Sequence, residues 1–103
     1  MRAPDGWVEQ PIYKGGKKSG LFLIKGSEIH CFRLDSFAGK WLTRQDMEAT
    51  AKPIFEKYGF LTTSVANKND DGHKFVTRMG FEKTSMDDTT TYYKCERLNH
   101  ARF

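Results

Sequence analysis

Cysteine is scarce in this chain: only Cys31 and Cys95 occur among its 103 residues, and they lie far apart in the sequence. Without a C-x-x-C pair, the chain lacks the spacing that is typical of zinc ribbons and of thioredoxin-like redox sites. Both cysteines lie in strand-like runs, where an isolated cysteine commonly behaves as a small buried residue. We therefore expect two free, buried thiols in a protein of a reducing compartment.

Long hydrophobic runs are also lacking. No stretch approaches the ~18 apolar residues that a membrane-spanning helix requires, and the amino-terminal residues contain no apolar core of a secretory signal. These absences predict a cytoplasmic protein without a membrane partner. Hydrophobic residues make up 38% of the chain and include eight Phe, which is enough for the core of a single domain over residues 1–103.

Basic residues form no long run, although the net charge is +4. Lys14, Lys17 and Lys18 lie around glycines, and the other basic residues are scattered among acidic ones. This pattern is typical of a solvated surface. The K/R-G-F/Y signature of the common RNA-binding sheet is absent, so the sequence does not favour a nucleic-acid partner.

The acidic residues and the histidines do not have metal-ligand spacing. The pairs Asp70-Asp71 and Asp87-Asp88 lack the regular ligand spacing of a calcium loop, and we interpret them as solvated turns. The histidines are spread along the chain: His30, His73 and His100. We therefore predict no metal site.

Three strands are predicted in the amino-terminal third. A strand at residues 7–13 precedes the turn GGKKSG at residues 15–20, and strands at residues 21–24 and 28–34 form a tight hairpin. The turn resembles a phosphate-binding loop but lacks the G-x-x-x-x-G-K-[ST] spacing.

A helix is predicted next. Its apolar stripe consists of Met47, Ala51, Ile54, Phe55 and Tyr58. Thr43 and Asp46 resemble a capping pair at its start, and Gly59 is a stop signal. Pro53 lies inside the pattern and predicts either a kink or a restart of the helix.

The second half predicts a strand at residues 60–66, a loop at 67–72, a short helix at 73–79, a turn at 84–88 and a last strand at 89–98. We expect residues 99–103 to be mobile or to serve as an interaction arm. The order is β-β-β-α-β-α-β, with parallel neighbours on either side of the first helix. The predicted fold class is mixed α/β.

The stretch NDDGHKFVTRMGF, residues 69–81, resembles the second conserved segment of the GNAT acetyltransferase superfamily. Asn69, Phe75, Gly80 and Phe81 fall at that family's spacing of i, i+6, i+11 and i+12. The strands and helices around them also match in order over roughly residues 20–98. The chain is most similar to the small GNAT-like proteins of tailed bacteriophages, some of which are virion or host-takeover proteins.

The resemblance implies that the strands at residues 28–34 and 60–66 separate at their carboxyl ends. In this family the pantetheine arm of acetyl-CoA lies in that cleft, and its pyrophosphate binds at the amino terminus of the following helix. If acetyl-CoA or CoA binds, the implied contacts are made by Phe32, Leu34, Gly39, Lys40, Arg44, Asn69 and Phe75.

The phosphate-binding pattern of the family, R/Q-x-x-G-x-G/A, is changed in this chain. The corresponding stretch is SFAGKWLTRQ, residues 36–45, with Ala38 in place of the Arg or Gln, Trp41 in place of the first Gly and Thr43 in place of the last. An indole at the point of closest approach fills the space that phosphate oxygens need.

The catalytic groups of the family are also changed. The Tyr that often follows the Phe of the second segment, and reprotonates the CoA thiolate, is Val76 here. Glu28 and His30 on the cleft strand are the candidate bases for deprotonating an amine. Tyr92 and Tyr93 on the last strand are either alternative acids or structural aromatic residues.

Two functions follow from the resemblance. The first is a GNAT-like protein that has lost most of its catalytic equipment and binds a protein partner, a host factor or a virion component. The second is an active acetyl-CoA-dependent N-acetyltransferase with a phosphate site rebuilt on Lys40 and Arg44. The two amino-terminal helices that wall the acceptor side in the family have no counterpart, and a homodimer is compatible with either function.

Overall fold

The computed structural model describes residues 6–98, which form one mixed sheet of six strands packed against two helices. The elements are β1 (Val8–Lys14), β2 (Lys17–Lys25), β3 (Glu28–Arg33), α1 (Arg44–Tyr58), β4 (Leu61–Ala66), α2 (Asp70–Met79), β5 (Glu82–Met86) and β6 (Thr90–Cys95). The mixed α/β class is confirmed. The predicted arm at residues 99–103, with His100, lies outside the described residues.

The spatial order of the strands is β1-β2-β3-β4-β6-β5. Neighbouring strands are antiparallel except β3 and β4, which are parallel. The parallel pair is joined through α1, as the sequence predicted. Neither helix of the described region is long and apolar enough to cross a membrane.

The first hairpin has a shorter turn than predicted. Only Gly15 and Gly16 form the turn, and β2 already begins at Lys17. Ser19 shows why the strand starts early: its side chain is buried, and its hydroxyl is within hydrogen-bond distance of the carbonyls of Ile12 (3.2 Å) and Trp41 (2.8 Å). Residues 17–20, which the local sequence pattern predicts as part of a turn, therefore belong to β2 because Ser19 is bound by neighbouring chain segments.

Helix α1 has the predicted ends. Thr43 is the N-cap, and Gly59 ends the helix with a φ of 82° while its N–H donates to the carbonyl of Phe55. The apolar stripe faces the core at Met47, Ala51 and Ile54. The helix does not restart at its proline: Pro53 is exposed and so is Ala49, so the carbonyl that loses its i+4 donor is on the solvent side.

Helix α2 begins three residues before its predicted start. Asn69 is the N-cap, and its side-chain oxygen accepts from the N–H of Gly72 at 3.0 Å. Asp70 and Asp71 occupy the first turn, where the helix dipole favours negative charge. The predicted loop at residues 67–72 is therefore wrong in its second half, because residues 70–72 form the first turn of α2.

Strand β5 was not predicted. Its five residues, Glu82–Met86, are all exposed, and it pairs with β6 at the edge of the sheet. The predicted turn at residues 84–88 was wrong in its first half. The hairpin turn is closed by Asp87, whose Oδ1 accepts from the backbone N–H groups of Thr89 (2.9 Å) and Thr90 (2.8 Å).

Both helices pack on the same face of the sheet. Glu28 and Thr62 are register partners, so Ile29, Leu61 and Val65 point to the opposite face, where they join the buried core with Phe22 and Tyr93. Within residues 6–98 no helix covers the other face. That uncovered face carries Leu21, Leu23, Glu28, His30, Phe32, Ser64 and Tyr92, and the Phe32 side chain is 50% exposed.

Candidate functional site: the cleft between β3 and β4

Strands β3 and β4 pair only at their amino-terminal ends. Glu28 and Thr62 are their only register pair in the described part of the chain, and the Thr62 N–H donates to the carbonyl of Ser27 at 2.8 Å. In a parallel ladder of this register, the next bond would join the Ser64 N–H to the Ile29 carbonyl. Instead, the Thr63 hydroxyl donates to that carbonyl at 2.6 Å. The strands separate beyond this point, as expected.

The separated strands open a cavity of about 330 Å³. Apolar side chains from both helices form much of its wall, among them Met47, Phe75, Val76 and Met79. The residues around the cavity include no Asp, Glu, Lys or Arg within the part of the chain that the structure describes. It therefore suits an uncharged ligand.

Cys31 lines this cavity. Burial raises the pKa of its thiol to about 12, so the sulfur stays protonated at neutral pH and is not a nucleophile. Cys95 is buried on β6, and burial raises its pKa as well. Both are free thiols, as the sequence predicted, although Cys31 is only partly buried.

The two candidate bases lie side by side. His30 Nε2 is 2.7 Å from a carboxylate oxygen of Glu28, and His30 Nδ1 is 3.4 Å from the Thr63 hydroxyl oxygen. Both ring nitrogens of His30 therefore face groups of the protein itself. The arrangement positions the ring at the wall of the cavity, which His30 lines and Glu28 does not.

The amino terminus of α1, which corresponds to the helix end where GNAT proteins bind pyrophosphate, already holds a carboxylate. Asp46 Oδ2 accepts from the backbone N–H and from the hydroxyl of Thr43, each at 2.8 Å, and forms an ion pair with Lys14. Partial burial alone would raise the pKa of Asp46, but these hydrogen bonds and the Lys14 ammonium lower it on balance. A fixed negative charge thus occupies the positive end of the helix dipole.

Trp41 bridges the strands and α2 at the same end of the cleft. Its indole stacks on Phe75, with ring centroids 6.5 Å apart and an interplanar angle of 23°. It also packs on Gly20 of β2 so closely that a Cβ there would lie 2.7 Å from the ring. The ring is therefore held between two elements. It cannot move aside without losing both contacts.

The predicted cofactor-binding residues divide into two groups. Phe32, Asn69 and Phe75 line the cavity, with Asn69 also capping α2. The other four do not line it: Leu34, Gly39, Lys40 and Arg44.

The side chains proposed for a rebuilt phosphate site are not brought together at the cavity. Arg44 Nε donates to Glu48 at 2.8 Å, and Lys40 lies on an exposed loop. With Asp46 and Trp41 at the same helix end, the residues present do not fit the pyrophosphate of a CoA molecule.

The two candidate tyrosines have structural partners elsewhere. The Tyr93 hydroxyl is 2.6 Å from His73 Nδ1 in the core, and the Tyr92 hydroxyl donates to Asp87 at 3.1 Å. The hydrogen bond to Asp87 raises the pKa of Tyr92. Neither ring lines the cavity.

No group of three or more His, Cys, Asp or Glu side chains capable of holding a metal ion occurs among residues 6–98.

Sequence reasoning missed two features of the cleft. The sequence predicts only a strand position for Thr63, whereas its hydroxyl donates to the Ile29 carbonyl at the point where the β3–β4 ladder ends. The sequence predicts the Thr43–Asp46 capping pair. It does not predict that the Asp46 carboxylate would repel a second anion at the same helix end. No family model, curated protein or solved structure matches the chain.

Proposed function

We propose that this chain is a GNAT-like domain that has lost acyl-CoA chemistry and acts by binding another protein. The similarity in sequence around Asn69, Phe75 and Gly80 supports the family. So does the parallel pair β3–β4, which separates at its carboxyl ends ahead of two helices. By analogy with the phage proteins of this type, the partner is a host factor or a virion component.

The observation that carries the loss of cofactor binding is the carboxylate of Asp46 at the start of α1. A pyrophosphate bound there would be close to a charge of its own sign, and the backbone N–H and hydroxyl of Thr43 are already donated to Asp46. The Trp41–Phe75 stack adds a steric barrier at the same place. Both effects disfavour CoA and leave the neutral part of the cleft open.

One observation favours the alternative, an N-acetyltransferase. Glu28 and His30 form a close acid–imidazole pair on the strand that borders the cleft. Such a pair can orient an imidazole as a base. However, the second ring nitrogen lies 3.4 Å from the Thr63 hydroxyl oxygen on β4, so this pair equally serves to fix β3 against β4.

Calorimetric titration with acetyl-CoA and with CoA tests the proposal. We expect no saturable binding tighter than about 100 μM, which corresponds to about −5.5 kcal/mol. The double variant Trp41→Ala/Asp46→Asn, which removes both the ring and the charge, is expected to bind more tightly than the natural chain. Trp7→Ala is the matched control, because it removes an indole that packs on His30, with ring centroids 5.6 Å apart, and not on the start of α1.

Binding of acetyl-CoA to the natural chain below about 100 μM would overturn the proposal. If that binding were lost in Lys40→Ala/Arg44→Ala, and if CoA thiol were released from acetyl-CoA in the presence of amines, the N-acetyltransferase would be the function.

A further inference from the structure

The backbone groups that face the cleft can be identified from the bonds on the outer edges of β3 and β4. The N–H of Leu34 donates to the carbonyl of Ser19, at the end of the β2–β3 pairing. Because hydrogen-bonding direction alternates along a strand, the even residues from 28 to 34 bond to β2. Ile29 and Cys31 therefore direct their N–H and carbonyl groups toward β4.

The same reasoning applies to β4. The N–H of Asn67 donates to the carbonyl of Thr89, so the odd residues of β4 bond to β6 and the even ones face β3. The carbonyl of Ala66 accepts from the N–H of Asn69. The Ile29 carbonyl accepts from Thr63. What remains facing the cleft is the N–H and carbonyl of Cys31 and of Arg33 on β3, and the N–H and carbonyl of Ser64 with the N–H of Ala66 on β4. Of these residues, Cys31 and Ser64 lie at the centre of the opening.

These groups form two strand edges inside the sheet. Residues 30–33 and 63–66 run past the single register pair, and the described chain provides no partner strand between them. Exposed strand edges are completed in proteins by an added strand, which contributes main-chain hydrogen bonds. Cys31 and Ser64 both line the cavity, so an added strand would have room beside them.

We propose that the protein partner enters this cleft as an extended peptide segment, which pairs with the backbone of Cys31 on β3 and of Ser64 on β4. This inference rests on the proposed function and names the chemistry of its partner. The segment is uncharged where it lies in the cleft, because the cavity wall contains apolar side chains and a thiol that stays protonated. Asp46 and the Trp41–Phe75 stack lie near the carboxyl ends of the two cleft strands. They disfavour a negatively charged residue of the peptide at that end of the cleft.

The length of the segment follows from the strands. About four residues of each strand, 30–33 and 63–66, have no strand partner on the side of the cleft. An extended peptide rises about 3.3 Å per residue. A segment of about four residues therefore fills the cleft, with flanking residues outside it. Small or apolar side chains suit the face toward α2, which carries Val76 and Met79.

The test uses a library of peptides of about seven residues, acetylated at the amino end and amidated at the carboxyl end. About four of these residues occupy the cleft, and the others flank it. We expect binders that are uncharged at their centre. Amide hydrogen exchange of Cys31 and Ser64 should be fast in the free chain and at least about tenfold slower with the peptide bound, because their N–H groups gain acceptors. Binders N-methylated at alternate residues should lose affinity in one register and retain it in the other.

A cavity-filling variant provides the second arm. Cys31→Phe is expected to weaken peptide binding at least about tenfold, which is 1.4 kcal/mol. Tyr13→Ala, which removes an exposed ring from β1 away from the cavity, should leave binding unchanged. If Cys31→Phe does not fold, the N-methylation pattern decides alone.

Three outcomes would overturn the inference. These are no peptide binder, no protection of Cys31 and Ser64, or equal tolerance of N-methylation at every position. A partner protein that binds with these amides unprotected would refute peptide insertion but leave the proposed function standing. Protection of the same amides by CoA, with saturable binding, would instead refute the proposed function.

Discussion

Replacement of Asp46 by Ala is expected to destabilise the protein by about 1.5 kcal/mol. The change removes the acceptor for the backbone N–H and hydroxyl of Thr43 and the partner of Lys14. Loss of the Asp46 half of the capping box, its hydrogen bond to the Thr43 backbone N–H, costs about 1 kcal/mol. A partly exposed ion pair contributes about 0.5 kcal/mol. For a domain of this size the sum corresponds to a fall in Tm of about 6–12 °C.

The effect should depend on pH with a defined sign. The pKa of Asp46 is lowered in the folded protein, so its contribution is fully present above the ordinary carboxyl pKa of about 4. It is lost as the pH falls through the lower folded value. The difference between the natural chain and Asp46→Ala should therefore be constant from pH 7 to about pH 5 and shrink at more acidic pH.

Thermal unfolding followed by circular dichroism over this pH range measures the difference. Glu48→Ala is the matched control, since it removes a carboxylate from an exposed pair with Arg44 on the same helix and should cost less than about 0.5 kcal/mol. Equal stability of Asp46→Ala and the natural chain at pH 7, or a difference that persists undiminished at pH 2, would refute the role assigned to Asp46.

Three further predictions concern the packing of the cleft. Gly20→Ala should cost about 2–4 kcal/mol in urea unfolding, because its Cβ would meet the carbonyl of Phe32 and the Trp41 ring; a cost below 1 kcal/mol would contradict that close approach. Trp41→Ala should cost about 2 kcal/mol and Trp41→Phe less, because Phe retains part of the contact with Phe75; equal costs would argue against stacking. With a pKa of about 12, Cys31 should be a thiolate in about one of 10,000 molecules at pH 8. A chromogenic disulfide reagent should therefore label it far more slowly in the folded chain than in denaturant. A rapid labelling phase in the folded protein would disprove this.

The parts of the fold that were predicted from sequence depend on local chemistry. The start of α1 at Thr43 and its end at Gly59 follow from residues within one turn of each boundary. The hairpin between β2 and β3 is likewise predicted by a local signal, Gly26, whose φ is 60°. Strand β5 was missed because Glu82–Met86 is exposed at every position, so it has no alternation of apolar and polar residues. Its pairing with β6 is what makes it a strand.

The candidate site was predicted only in part, for the same physical reason. Glu28 and His30 share a strand face at i and i+2, so their proximity follows from strand geometry. The Trp41–Phe75 stack joins residues on either side of a whole strand and helix, and no local pattern predicts it. The hydrogen bond from Thr63 to Ile29 likewise depends on how two distant strands meet.

The most direct test of the central claim is a set of amide NMR spectra of the natural chain recorded with increasing acetyl-CoA, up to about 20 times the 100 μM threshold used above. The account predicts no saturable shifts at Thr43 and Asp46, because the start of α1 is already occupied by a carboxylate. Saturable shifts centred on these residues would contradict it.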